Sequence, residues 1–338
     1  MAKAPKVAIA CQGGGSHAAF AAGVLRRLLE PDLRGRFDLV ALSGTSGGAM
    51  CAALAWAGLI SDGEGDAIGR LTQFWRDLEA RSPLDATTNA VSLWLARLPV
   101  TAEISPYLYE PVAEPQLRAL LGHHLGLERL PADAVRRSRP KLLIGATDIV
   151  SGQRTIFEGE TLGYDDLIAS AAVPPVFRAV QAHGTLFWDG LFSTNPPIRE
   201  FTDLPDVPDE VWVVQINPQI QAQEPRSIPE ISNRRNELSG NLSLGQELYF
   251  IETINKLMVD HPSLTKRYKP IRIRVVELGI AGLDYPSKFD RDRGFIERLL
   301  RNGEERAPWF FDERSSWHRA ATPPATSRYV GRIATAAE

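Results

Sequence analysis

Two polar residues set among glycines carry the chemistry this chain could perform. Ser46 lies in Gly44-Thr45-Ser46-Gly47-Gly48, Asp189 lies in Trp188-Asp189-Gly190, and a Gly13-Gly14-Gly15 run sits near the N-terminus. A serine hydroxyl beside a proton acceptor can attack an acyl carbon and form a covalent intermediate. Backbone N–H groups left unshielded by glycine can hold the negative charge that develops on the carbonyl oxygen. Ester hydrolysis through an acyl-enzyme is the reaction these residue types suit.

Such groups work only if strands and helices hold them. Phe37 to Leu42 is an apolar run of strand length, and Met50 to Ala57 reads as a buried helix, so Ser46 falls on a sharp strand-to-helix turn. Gly44, Gly47 and Gly48 leave that turn room to close, and the first amides of the helix point toward the serine. The glycine run has the same grammar: Val7 to Cys11 is a short buried strand and His17 to Leu29 a helix, with Phe20, Val24, Leu25, Leu28 and Leu29 on its apolar side. Gly14 precedes Ser46 by about one βαβ unit, and a parallel sheet would bring both turns to one edge.

Rival readings of the glycines fail on their partners. Gly13-x-Gly15-x-x-Ala18 fits a dinucleotide fingerprint, but the second strand ends Ala41-Leu42-Ser43 with no carboxylate, and no Gly-Lys-Ser/Thr ending makes a P-loop. The usual base for a serine is histidine. His17 lies in the glycine loop, His123 and His124 in a polar connection, His183 before a short strand, His261 after a helix, and His318 in an Arg-rich C-terminal segment. His318 is the candidate for a conventional Ser-His-Asp triad. That fold, however, places several strands before its nucleophile, and here one precedes it. Asp189 ends the apolar run Leu186-Phe187-Trp188, where Gly190 can turn its carboxylate out of the sheet edge. An Asp-Gly pair is also a common hairpin turn.

With these blocks in hand, the chain resembles the patatin-like phospholipases. The resemblance rests on Gly13-Gly14-Gly15, Gly44-x-Ser46-x-Gly48, the block Ala169-Ser170-Ala171-Ala172-Val173-Pro174-Pro175-Val176-Phe177, and Trp188-Asp189-Gly190, in order across residues 6 to 220. It implies a three-layer α/β/α fold with a mainly parallel central sheet and the nucleophile elbow after the second strand. It also implies lipid acyl hydrolysis by a Ser46-Asp189 dyad, with Ser46 as nucleophile, Asp189 as general base, Gly13, Gly14, Gly15 and Gly47 around the oxyanion, and no cofactor. Two positions depart from the family pattern. His17-Ala18 stands where a basic residue and glycine are usual, and Leu191 follows Asp189-Gly190 in place of a small residue. A triad esterase and a catalytically silent acyl-lipid binder are the other two classes this sequence allows.

The remainder reads as one α/β domain over residues 1–319 and a flexible tail over 320–338. Lys141 to Thr147, Arg154 to Phe157, Val211 to Asn217 and Ile271 to Val276 are strands, 161 to 172 a helix, and 222 to 240 a long polar connection. Hydrophobic residues at 44% and charged residues at 23% are ordinary globular values, and a net charge of −3 gives no reason to invoke nucleic acid. The expected partner is a lipid or acyl-ester substrate, with transient membrane-surface contact. Ala90 to Pro99 is either an interfacial cover or, by preference, a core helix, and Gln246 to Val259 is a core helix. Trp309-Phe310-Phe311 allows a lipid-contact or a core reading. No metal is expected, since His123-His124 lacks nearby acidic or cysteine partners. Cys11 and Cys51 read as buried thiols without a disulfide, and with no signal peptide or spanning segment in view the expected location is cytoplasmic.

Overall fold

The computed structural model describes residues 4–97, 105–108, 113–174, 176–221 and 223–317. His318 and the expected tail at 320–338 lie outside these residues. From the N-terminus the chain forms β1 (Lys6–Cys11), α1 (Ala19–Leu28), α2 (Pro31–Arg34), β2 (Asp38–Thr45), α3 (Gly47–Ser61), α4 (Glu64–Leu78), α5 (Pro83–Ala96), α6 (Ala113–Leu125) and α7 (Ala132–Arg136). There follow β3 (Lys141–Asp148), β4 (Arg154–Glu158), α8 (Tyr164–Ser170), β5 (Val180–Ala182), β6 (Thr185–Asp189), β7 (Glu210–Gln215), α9 (Ile228–Asp260), β8 (Arg272–Glu277) and α10 (Arg293–Arg306).

These strands make one sheet in the order β5-β6-β3-β2-β1-β7-β8, with β4 also paired to β3. The pairs from β3 to β8 along this path are parallel, while the pairs β3–β4, β3–β6 and β5–β6 at one side are antiparallel. Alternation of side chains divides the interior into two cores. Val7, Ile9 and Cys11 of β1 and Trp212 and Val214 of β7 face helices α1, α3, α4, α6, α8 and α10. Ala8, Ala10, Val211 and Val213 face α9 and the Ile198–Phe201 segment. In β2 both Val40 and Ala41 point to the α9 side, because the β1–β2 register shifts between Val7 and Ala8. A one-residue shift changes which face a side chain occupies.

Strands and helices fall where the residue pattern places them, with three corrections. The 222–240 stretch is no connection, for α9 starts at Ile228. Ser227 and Glu230 form a reciprocal capping box, and Pro229 occupies the first turn, where a missing N–H costs nothing. Its core side then continues with Leu244, Leu248, Ile251 and Met258 buried. His123 and His124 end α6 and do not lie in a connection. Residues 90–96 are the last turns of α5, at the surface: Leu93 is buried, but Val91, Trp94 and Leu95 are exposed, with Trp94 at 61%. Residues 98 and 99 of that expectation lie outside the described residues. Trp309-Phe310-Phe311 takes its core reading, because Phe310 is buried and stacks on Trp212 at 4.8 Å between ring centroids. Cys11 and Cys51 are buried free thiols.

α9 is the helix that closes the second face, and Leu248 is fully buried against the sheet. Leu248→Ala is expected to cost about 2–5 kcal/mol of unfolding free energy by urea titration. A cost below about 1 kcal/mol would mean that the face is not packed as described.

Candidate functional site

Parallel pairing brings the two glycine turns together. β1 and β2 end side by side with Cys11 opposite Gly44, so the Gly13–Gly15 loop and the Ser46 elbow emerge at the same sheet edge. Ser46 has φ 56° and ψ −129°, a strained conformation for a residue with a side chain. The turn closes because Gly48 passes the end of the neighbouring strand β1 at a distance only glycine allows: a Cβ there would lie 2.2 Å from the Cys11 carbonyl oxygen. The Ser46 N–H donates to Ser170 Oγ at 2.9 Å, and that hydroxyl donates in turn to the Gly145 carbonyl at 2.6 Å. Ser170, on α8, thereby ties the elbow to β3.

Asp189 arrives at the same edge from the other side of β3, where Ala146 pairs with it. Between the elbow and the carboxylate lies Gly145, paired with Thr45. A side chain there would collide with Thr45 Oγ1 and Thr194 Cγ2, at 2.8 and 2.7 Å. The Asp-Gly pair is not a hairpin turn. The β5–β6 hairpin turns earlier, at His183 and Gly184, both with positive φ, and Asp189 instead caps a short 3-10 turn, its Oδ1 accepting from Leu191 N–H at 2.7 Å. Asp189 is 1% exposed, and its Oδ2 is buried with no hydrogen-bond partner. Burial pushes this carboxyl up from 3.8 to about 7, opposed by the neighbouring Ser46 hydroxyl, the Leu191 N–H and the charge of Lys288.

Ser46, Gly47, Gly13–Gly15 and Asp189 line one cavity of about 700 Å³. Met50, Phe74, Trp75, Leu117, Leu120 and Phe177 form apolar walls, and Asn195, Asn236 and Lys288 form a polar one. Gly13 N–H donates to Asn195 Oδ1 at 2.7 Å, so this amide is already engaged. Gln12, fully buried, accepts from the N–H groups of Ile216 and Asn217 and donates to Asn241 Oδ1, which pins the loop to β7 and α9. Gln12, Gly145, Ser170, Asn195 and Lys288 had no assigned role in the sequence reading. Gln12 adjoins the Gly13-Gly14-Gly15 run and Ser170 lies within the Ala169–Phe177 block, which was the available signal. Lys288 sits in a short 3-10 turn, Pro286–Phe289, and offers none.

No histidine among the described residues lines this cavity. His17 is buried, bonds Ser287 Oγ through Nε2 at 2.8 Å and is pulled down to about 3, chiefly by burial and then by Lys288. His183 pairs with Asp166 at 2.7 Å. His124 pairs with Asp77 at 3.0 Å, and the ligating atoms of Asp77, His123 and His124 lie within 4.8 Å of one another. The His pair therefore does have an acidic neighbour, contrary to the sequence expectation, because packing of α4 on α6 supplies it.

A mostly parallel sheet with an elbow serine and a buried carboxylate at one edge defines a recognisable class of α/β proteins. The chain belongs to the patatin-like phospholipase family, whose sequence profile matches residues 9–202, more than half of the chain. No curated protein shows significant sequence similarity. Among solved structures, VipD from Legionella pneumophila is 13% identical, with a TM-score of 0.40 over 90% of this chain and 66% of its own. The type III effector ExoU is 13% identical, with a TM-score of 0.38 over 92% and 53%. ExoU in its heterodimer with SpcU from Pseudomonas aeruginosa is 17% identical, with a TM-score of 0.36 over 90% and 52%. The chain thus spans about two thirds of VipD and about half of ExoU. No helix among the described residues is long and apolar enough to cross a membrane.

The buried carboxyl has a stability consequence. Its folded value near 7 lies above its ordinary 3.8, so the unfolded chain ionises first and stability falls as pH rises between these values. Asp189→Asn removes this loss. The variant's Tm advantage over the wild type is expected to grow from pH 4 to pH 7 and then level off. An advantage independent of pH would contradict the burial.

Proposed function

We propose that the chain is a lipid acyl hydrolase working through a Ser46-Asp189 dyad. The observation that carries this reading is Asp189 Oδ2, buried without a partner in the cavity that also holds the strained Ser46. As Ser46 Oγ attacks the ester carbonyl carbon, Asp189 Oδ2 takes its proton, and the alcohol leaves with a proton returned by Asp189. Water, deprotonated by Asp189, then attacks the acyl carbon, and as the bond to Ser46 Oγ breaks and the acid leaves, Asp189 returns the proton to Ser46 Oγ. An aspartate raised to about 7 is far better matched to this proton transfer near neutrality than one at 3.8.

The oxyanion is assigned to the N–H groups of Gly14, Gly15 and Gly47, reinforced by the positive end of α3. Gly13 belongs to the hole as its shaping residue, since its own N–H is held by Asn195. Gly44 and Gly48 act on the elbow alone. The apolar cavity walls fit an acyl chain. Lipid-surface contact is assigned to α5, whose Asp85 lines the cavity and whose Leu84, Val91 and Trp94 are exposed.

Ser46→Ala is expected to lower kcat on medium-chain esters by more than about 1,000-fold, and Asp189→Asn by about 100- to 10,000-fold. Wild-type kcat/KM should rise with pH around a midpoint near 7, because the base acts in its ionised form. Full activity in Ser46→Ala, or a flat profile from pH 5 to 8, would sink the dyad. Trp94→Glu is expected to slow hydrolysis of vesicle-borne substrate more than that of a monomeric ester; equal effects would remove α5 from the lipid contact.

A further inference from the structure

The helices α4 and α6, which pack on each other, build the apolar wall of the cavity from Phe74, Trp75 and Leu78 on one side and Leu117 and Leu120 on the other. At the end of α6 the two are joined by polar groups. Asp77 of α4 holds His124 of α6, with Oδ2 and Nε2 3.0 Å apart, and a ring nitrogen of His123 completes a group whose ligating atoms lie within 4.8 Å of one another. Adjacent residues on a helix project about 100° apart. The two imidazoles nevertheless meet edge-on with 4.7 Å between ring centroids, so both heads gather at the carboxylate.

Donors about 2.1 Å from a tetrahedral zinc ion stand about 3.4 Å from one another. The Asp77–His124 pair is close to that spacing already, and the exposed His123 ring closes the remainder by rotating. His124 is 7% exposed and packs edge-on to Phe74 at 5.9 Å, so packing fixes one ligand before any ion arrives. Two cations lie nearby. Arg81 takes the other carboxylate oxygen of Asp77 at 3.2 Å, from a half-exposed side chain that can swing aside, and Arg70 is committed to Asp66 and to the carbonyls of His124 and Leu125. We infer that Asp77, His123 and His124 form a site for a divalent transition metal of the zinc type, which clamps α6 to α4 behind the apolar wall of the cavity. Two imidazoles with one carboxylate suit such a metal, whereas Mg²⁺ and Ca²⁺ take oxygen ligands. Three protein donors leave a fourth position for water. Neither Ser46 nor Asp189 supplies a donor, so the proposal stands apart from the hydrolase reading.

The test is calorimetric titration of the full chain, stripped with EDTA, by Zn²⁺, repeated on His123→Ala, Asp77→Asn and His183→Ala. The wild type should bind one zinc ion that His123→Ala and Asp77→Asn each weaken by at least about 10- to 100-fold, the loss produced by removing a group that merely supports a ligand. His183→Ala, at the other His-Asp pair, should bind as the wild type does. His123 is exposed, so its metal-free variant should keep the wild-type Tm. Zn²⁺ should slow amide exchange along α6 in the wild type and leave it unchanged in His123→Ala, and Co²⁺ should give the visible bands of a tetrahedral site. Absence of zinc binding, or binding untouched by both His123→Ala and Asp77→Asn, overturns the proposal. So does a loss in His183→Ala, which would place the ion at Asp166, and so does binding that leaves α6 exchange unaltered, because no clamp would then exist.

Discussion

The parallel pairing of β1 with β2, which ends with Cys11 opposite Gly44, is the constraint on which the site depends. Both strands lead into turns that only small residues can form, and adjacency puts one turn against the other. Gly48 lies against the Cys11 carbonyl, and a Cβ on Gly47 would approach the Gly15 carbonyl oxygen to 2.6 Å. The strain at Ser46 is held because the elbow has no room to relax: β1 backs it, Ser170 holds its N–H, and α3 is buried along Gly48–Gly58.

Electrostatics are arranged around the same edge. Asp189 is desolvated yet keeps one oxygen bonded to Leu191, which fixes its orientation and leaves Oδ2 buried without a partner. On the polar wall, Lys288 has neutral acceptors where an ion-paired lysine would have a carboxylate. The two groups oppose each other's shifts, since Lys288 favours the ionised aspartate and Asp189 favours the ammonium. His17 is pulled down to about 3 and is neutral at pH 7, whereas Lys288, whose carbonyl abuts the Gly15 turn, is lowered only to about 8.

Much of this was legible in residue patterns, and the reasons differ by element. Short apolar runs bounded by glycine or proline identified β1, β2, β3 and β7, because buried parallel strands have no polar face. Ser46 and Asp189 were visible because a turn that exposes a side chain needs small neighbours. Less legible was α9, whose first turns are polar on the side that a long helix exposes, although Ser227 and Glu230 marked its start. The exposure of Trp94 was hidden because an apolar helix reads the same whether its outer face is covered or not. Asn195, Lys288 and Asp77 were beyond reach, since their partners lie far away in sequence and meet only through packing.

The central claim is that Ser46 is the activated nucleophile and that Asp189 activates it. A fluorophosphonate probe followed by peptide mass mapping tests this most directly. The account expects one adduct per chain, on Ser46, with labelling abolished in Ser46→Ala and strongly slowed in Asp189→Asn. An adduct on another residue, or undiminished labelling in Asp189→Asn, would contradict it.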